Sequence, residues 1–230
     1  MNNCFFELLS TIQFNEDVKA KDVQYGLARL IASAMLNDAE LKELHHHRGI
    51  KKYTFSAPYP LEKDQVYRKG RLYCFNLRTL DLKFALAMKQ YLPLAEGVAK
   101  VIAVEVRNYK QSPIKELISL TPVVCTVNNR CWMPENGVGL LAERLHQNAL
   151  KKQQLLDPSF SAPGEFFFEC INLLNKKPII VTYKNTVLLG HKLQIEVKPH
   201  DWAQQLAFTV LAQGLLEKTA EGFGYCITGR

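Results

Sequence analysis

The sequence predicts an α+β protein made of two tandem ferredoxin-like domains with antiparallel sheets. Strand-like and helix-like apolar segments follow the order β-α-β-β-α-β in the first half, and the same order returns less clearly in the second half. A polar segment at 108–115, which contains Pro113, separates the two halves. The chain has 230 residues, 47% of them hydrophobic, which is enough to bury a substantial core. We therefore expect domains at residues 1–110 and 116–230.

The first half begins with an apolar strand at 4–12 and continues into an amphipathic helix. The apolar residues of this helix recur on one face, namely Val23, Leu27, Leu30, Ile31 and Ala34. Asn37, with Glu40 three residues on, predicts a capping box for a short second helix that ends in His45, His46 and His47. The remaining predicted elements are strands at 53–55 and 72–77, a helix at 82–92 and a strand at 98–106.

The second half ends in a segment rich in glycine. Its predicted elements are strands at 118–127, 166–174, 179–183, 188–197 and 225–227 and helices at 139–150 and 202–216. Gly214 is expected to end the last helix in a left-handed conformation. Gly222 and Gly224 are expected to let backbone amides approach a partner closely, and a phosphate group is one such partner.

The composition favours a polyanionic partner and a cytoplasmic location. Lys and Arg number 29 against 22 Asp and Glu, giving a formal charge of +7 and a pI near 9.0. The apolar runs fall short of the ~20 residues that a membrane span needs, and the N-terminus lacks the features of a signal peptide. The six cysteines form no C-x-x-C pair, and no Asp/Glu cluster indicates a two-metal site, so we expect neither a metal nor another cofactor.

Two motifs identify a family. The first is GLLEKTAEGFGYC at 214–226, called here the glycine-rich loop, and the second is ELHHHRGIKKYTFSAPYP at 43–60. In this order and at this distance they resemble the repeat-cleaving endoribonucleases of CRISPR systems, the Cas6 family of the RAMP superfamily, over nearly the whole chain. The sequence departs from the family pattern at Leu216, where a glycine is usual.

The resemblance implies a metal-independent endoribonuclease that matures CRISPR RNA. In such an enzyme a 2′-hydroxyl attacks the neighbouring phosphate and leaves a 2′,3′-cyclic phosphate and a 5′-hydroxyl. The resemblance implies His45 as the proton-transfer residue and Lys51 as the cation that stabilises charge on the phosphate. His46 or His47 is the substitute if the helix register shifts by one, and Tyr25 is a further candidate. From the residues alone, a surface cluster at a helix end is favoured over a catalytic role, and metal binding is the third alternative.

The resemblance also implies CRISPR repeat RNA or its crRNA product as the partner. The RNA-binding candidates are the cations Arg68, Lys69, Arg71, Arg78 and Lys218 and the glycines Gly214, Gly222 and Gly224. Other subunits of a CRISPR effector complex and a homodimer are open as partners, and no membrane partner is expected. The alternative function is a non-catalytic, RNA-binding RAMP subunit, but the pair of His45 and Lys51 favours the enzyme.

Overall fold

The N-terminal half folds into one four-stranded antiparallel sheet with helices packed against it. The computed structural model describes residues 4–229, so residues 1–3 and 230 of the predicted domains lie outside the described residues. The elements are β1 (Cys4–Phe14), β2 (Val18–Lys19), α1 (Ala20–Met35), α2 (Ala39–His46), β3 (Tyr53–Phe55), β4 (Val66–Tyr67), β5 (Leu72–Thr79), α3 (Leu82–Tyr91) and β6 (Ala99–Lys110). The sheet has the order β3-β5-β1-β6, and β2 and β4 form a small separate ribbon that the sequence did not predict.

The alternation of apolar residues along β1 sets the register of this sheet. Leu8 pairs with Leu77 of β5 and with Val106 of β6. Leu8 and Ile12 are fully buried, and the apolar faces of α1 and α3 pack into the same core. Because strand residues alternate between faces, a shift of one residue would expose this whole set of side chains.

The C-terminal half repeats the plan with an inserted hairpin. Its elements are β7 (Glu116–Ser119), β8 (Thr126–Val127), β9 (Arg130–Cys131), α4 (Val138–Gln154), β10 (Phe168–Leu173), β11 (Ile179–Tyr183), β12 (Thr186–Gly190), β13 (Leu193–Val197), α5 (Asp201–Gln213) and β14 (Cys226–Thr228). The main sheet has the order β10-β13-β7-β14, and β11 and β12 form the hairpin. β8 and β9 form a second two-stranded ribbon. When the β8–β9 and β11–β12 pairs are left out, the order of elements is again β-α-β-β-α-β. The predicted α+β class with tandem ferredoxin-like units is confirmed.

One predicted strand, at 188–197, is in fact two strands in different sheets. β12 pairs with β11, whereas β13 pairs with β10 and β7. The break lies at Gly190, where a Cβ atom would lie 2.7 Å from the Cβ of Pro122 and 2.7 Å from the carbonyl oxygen of Val123. The chain therefore changes sheets where it passes closely against another backbone segment.

Three other expected boundaries also differ. The cap of α2 is Asp38, whose carboxylate accepts the Leu41 N–H at 3.0 Å, and not Asn37. β6 extends to Lys110, so the connection between the halves begins later than expected. The strand expected at 118–127 is the short β7 followed by the separate β8. Among residues 4–229, no helix is both long and apolar enough to cross a membrane.

Arg78 joins the two halves inside the protein. Its guanidinium, on β5, forms a buried ion pair with Glu7 of β1 and donates to the carbonyl oxygen of Cys226 on β14 at 2.7 Å. The hydroxyl of Tyr225 donates to the same Glu7 carboxylate at 3.1 Å, and the guanidinium carbon lies 4.4 Å from the centre of the Tyr225 ring. The expectation that Arg78 binds RNA is therefore corrected, because its charge is buried and already paired.

Candidate functional site

A cleft of about 640 Å³ is lined by residues from both halves of the chain. The N-terminal half contributes α1, the end of α2 and the segment that leads into β3. The C-terminal half contributes α4, the end of β11 and the glycine-rich loop. The charged side chains in the lining are five cations and two carboxylates, namely Arg29, Lys51, Lys152, Lys184 and Lys218 with Glu217 and Glu221. The surplus of positive charge makes the cleft a site for an anion.

His45 is the one of the three clustered histidines that lines this cleft. It lies in the last turn of α2 and is half-buried, whereas His46 and His47 are exposed and are not part of the lining. Burial, and then the charges of His46 and Lys51, lower the pKa of His45 below its usual 6.5. The imidazole is therefore neutral at pH 7 in the free protein and can accept a proton.

Lys51 lines the same cleft and closes the C-terminal end of α2. Its ammonium donates to the carbonyl oxygens of Leu44, His45 and His47, with a distance of 3.0 Å to that of His45. These carbonyls have no partner within the helix, and they carry the negative end of its dipole. Burial lowers the pKa of Lys51, while the Glu221 carboxylate opposes this shift. The ammonium thus fixes the turn that carries His45 and places a positive charge beside it.

Two tyrosines and three cations form one wall of the cleft. Tyr25 of α1 lies against Tyr183 of β11, with ring centres 5.7 Å apart. The Arg29 guanidinium is 6.0 Å from the Tyr25 ring centre, and the Lys218 and Lys184 ammonium groups are 5.0 and 5.4 Å from that of Tyr183. This wall offers ring faces and positive charge together, the combination that suits single-stranded nucleic acid.

The glycines of the glycine-rich loop allow the loop to pack against the protein itself. A Cβ atom on Gly222 would lie 2.5 Å from the Phe55 ring, and one on Gly224 would lie 2.0 Å from the carbonyl oxygen of Leu215. Both residues have positive φ, and Gly214, Gly222 and Gly224 are all buried. The close approach is therefore to β3 and to the loop's own backbone, and the expectation that these glycines contact RNA is corrected.

Leu216 and Lys218 also adopt positive φ, at 57° and 56°. This conformation is costly for a residue with a Cβ atom, by roughly 1–2 kcal/mol. A glycine at the position of Leu216, as is usual in the Cas6 family, fits this backbone requirement directly.

Replacing Gly214 with alanine is expected to destabilise the protein. Gly214 has φ 83° and ψ 161°, a region open essentially to glycine alone, rather than the left-handed helical conformation that was expected. The strain should lower the free energy of unfolding by about 1–3 kcal/mol, and overlap adds to it, because the new Cβ would lie 2.7 Å from the Thr219 side chain. Urea denaturation measures the loss.

Gly139→Ala is the matched control for this experiment. Gly139 lies in the first turn of α4, and a Cβ atom there would meet nothing within 4 Å. The substitution should be neutral or stabilising by about 0.4–1 kcal/mol. Equal unfolding midpoints for the two variants would contradict the special role of Gly214.

The remaining basic candidates lie at the β4–β5 turn and do not line the cleft. Arg68 pairs with Asp17 at 2.8 Å and also with Asp64, and Arg71 pairs with Glu62 at 2.7 Å. The backbone N–H of Lys69 donates to Asp17 at 2.8 Å. These ion pairs are exposed and weak, so either arginine can contact an RNA if it gives up its present carboxylate partners.

Three residues that line the cleft were not among the sequence-predicted candidates, namely Arg29, Asn148 and Tyr183. Arg29 follows Tyr25 by four residues on α1, and Lys152 follows Asn148 by four residues on α4, a spacing that places each pair on one helical face. That spacing of four residues was the sequence signal that could have placed Arg29 beside Tyr25 and Lys152 beside Asn148. Nothing in the local sequence connects Tyr183 with the distant Tyr25. Across residues 4–229, no group of three or more His, Cys, Asp or Glu side chains is arranged to hold a metal ion.

The comparisons with known proteins bear on the fold alone. No protein-family model matches the sequence, and no curated protein matches it. Solved structures do match. One described as a CRISPR-associated Cas6 protein has a TM-score of 0.73 at 17% identity, covering 98% of this chain and 100% of the other.

Two further structures cover the chain to the same extent. One, described as a RAMP protein binding different RNA substrates, has a TM-score of 0.71 at 16% identity and covers 98% of this chain and 100% of its own. A Cas6 product complex has a TM-score of 0.65 at 15% identity, with coverage of 99% and 100%. The resemblance drawn from the two motifs is thus confirmed at the level of the fold, which this chain shares with Cas6 and RAMP proteins over nearly its full length.

Proposed function

We propose that this protein is a metal-independent endoribonuclease that cleaves CRISPR repeat RNA. The observation that carries the proposal is the position of His45, half-buried in a cationic cleft directly beside Lys51. The shared fold supports it, because the structures with that fold include an RNA-binding RAMP protein and a Cas6 product complex. The ligands are the repeat transcript and its crRNA product, and the site of action is the cytoplasm.

The reaction requires three events at one phosphodiester. His45, neutral at pH 7, takes the proton of a ribose 2′-hydroxyl, and the 2′ oxygen attacks the adjacent phosphorus. The bond between phosphorus and the 5′ oxygen breaks, and the departing oxygen takes up a proton from the solvent or from the imidazolium. The products are a 2′,3′-cyclic phosphate and a 5′-hydroxyl, and every atom of the RNA is retained.

Two lysines supply the charge that the transition state needs. Extra negative charge develops on the phosphate oxygens only as the new bond forms, so a cation fixed in advance lowers the barrier of this step. Lys51 is held in place by three carbonyl oxygens and contributes its charge without leaving them. Lys218 lines the cleft from the glycine-rich loop and is the group available for direct contact with a phosphate.

The tyrosine wall suits a nucleotide next to the cleaved bond. Tyr25 and Tyr183 present rings within the cleft, and unpaired bases stack on such rings. Tyr25 lines the cleft together with His45 and Lys51 and therefore stays in the proposed catalytic neighbourhood. We retain residues 1–110 and 116–230 as the proposed domains, with the cleft formed where they meet.

Incubating the purified protein with the CRISPR repeat RNA of its own genome in EDTA tests this function. We expect one cleavage position and a 5′ product that carries a cyclic phosphate. A DNA of the same sequence is the matched control, because it lacks every 2′-hydroxyl and should remain intact. Intact RNA that nevertheless binds the protein would favour the alternative, a non-catalytic RNA-binding subunit. Absence of salt-sensitive RNA binding would refute both functions.

A further inference from the structure

Lys152 is a buried cation at the back of the cleft. It lies on α4 with 1% of its surface exposed. Its ammonium donates to the carbonyl oxygens of Gly214 at 2.7 Å and Leu216 at 2.9 Å. Burial lowers the pKa of Lys152 to about 7. Keeping an amine in such a place costs free energy unless its hydrogen bonds are made, and here they are made to a single loop.

These two carbonyls belong to the first turn of the glycine-rich loop, where the backbone adopts positive φ angles. Gly214 and Leu216 both have positive φ, and the N–H of Leu215, between them, donates to the carbonyl oxygen of Gly224 at 2.8 Å. The two hydrogen bonds from Lys152 therefore stabilise the first turn of the loop, and the hydrogen bond between Leu215 and Gly224 joins the beginning of the loop to its end. Without the ammonium, two buried carbonyl oxygens would lose their donor.

The loop held in this way reaches the reactive side of the cleft. Its crest carries Lys218 and Glu221, which line the cleft. Thr219 donates its hydroxyl hydrogen to the carbonyl oxygen of Tyr53 at 3.2 Å, and Tyr53 follows Lys51 by two residues. A continuous set of contacts thus runs from Lys152 through the loop to β3 and the turn that carries His45.

We propose that Lys152 is a positioning residue, whose bonds to Gly214 and Leu216 hold the glycine-rich loop so that Lys218 faces the bound phosphate opposite His45. The inference rests on the proposed RNA cleavage for its effect on rate, but its effect on the loop is independent of any reaction. Lys152 itself does not touch the RNA, since its ammonium is buried and both of its hydrogen bonds are to the loop.

The test replaces Lys152 with methionine, which keeps most of the volume and removes both hydrogen bonds. Hydrogen exchange should accelerate at the amides of Leu215 and Gly224 and stay unchanged in β1. The single-turnover rate constant for repeat RNA should fall about 10- to 100-fold, as expected for misplacement of a catalytic constellation. The dissociation constant for the RNA should change by less than about threefold, because one of several phosphate contacts is displaced and none is removed.

Lys151→Met is the matched control, because it makes the same substitution at an exposed neighbour that does not line the cleft. Loop exchange equal to that of the unaltered protein, or an unchanged rate despite a loosened loop, would overturn the proposal. If Lys152→Met does not fold, Lys152→Gln replaces it and the same two readouts decide. If the unaltered protein binds RNA without cutting it, the proposed function fails. The hydrogen-exchange measurement then still tests whether Lys152 stabilises the loop.

Discussion

Replacing His45 with alanine is expected to slow the cleavage of repeat RNA by about 10²–10⁴-fold. The substitution removes the only clustered histidine that lines the cleft, while Lys51, Lys218 and the other cleft cations keep their places. The affinity for RNA should therefore remain within about threefold, because most of it comes from neutralised phosphates. Single-turnover kinetics at saturating protein, together with a filter-binding measurement of affinity, separate the two quantities.

His47→Ala is the control for this variant. His47 is exposed at the end of the same helix, and the bond from Lys51 goes to its backbone carbonyl, which the substitution leaves intact. Its rate should equal that of the unaltered protein. An equal loss in both variants would mean that the histidine cluster acts through the stability of α2 and not through proton transfer by His45.

The pH dependence of the rate shows whether His45 accepts or donates the proton. The pKa of His45 is lowered below 6.5, so a histidine that accepts a proton is already in its active, neutral form at pH 7. The rate should rise with pH up to that pKa and then level off, and the rising part should vanish in His45→Ala. A rate that falls between pH 6 and 8 would instead show that the imidazolium acts as the acid.

Replacing Arg78 with methionine is expected to lower the free energy of unfolding by about 3–5 kcal/mol. The change leaves the Glu7 carboxylate buried, with the Tyr225 hydroxyl as its one remaining hydrogen-bond partner among residues 4–229, and it removes the donor to the Cys226 carbonyl oxygen. Because these partners lie on β1 and β14, the loss falls on the contact between the two halves. Urea denaturation followed by tryptophan fluorescence measures it.

Arg107→Met is the matched control for Arg78→Met. Arg107 pairs with Glu105 at 2.9 Å, but both side chains are largely exposed on β6. Such a pair contributes about 0–1 kcal/mol. The double variant with Glu7→Gln and Arg78→Met should recover part of the loss, since the uncompensated charge is then absent. A loss in Arg78→Met no larger than in Arg107→Met would show that the buried pair does not join the halves.

The features that sequence predicted well are those set by local periodicity. The apolar face of α1 and the helical turn at His45 depend on residues three and four apart, and the structure has both. His45 and Lys51 are separated by six residues, so their proximity is a local property as well. The order of elements followed from the same periodicities and was enough to predict two ferredoxin-like units.

The features that sequence could not predict depend on contacts between distant segments. Arg78 at the end of β5 resembles a surface cation, and its partner Glu7 lies 71 residues earlier in the chain. A glycine that accommodates a ligand and a glycine that accommodates a neighbouring ring look identical in sequence, and only the packing of Gly222 on Phe55 separates them. The break at Gly190 likewise depends on the position of Pro122 and Val123.

The wall formed by the glycine-rich loop has a consequence for how the stability of the protein affects the cleft. His45 and Lys51 belong to the first half, but the loop that lines the cleft with them and the β14 strand that receives Arg78 belong to the second. Any change that separates the two halves therefore removes one wall of the cleft. A weakened contact at Arg78 should thus disturb the cleft as well as the core.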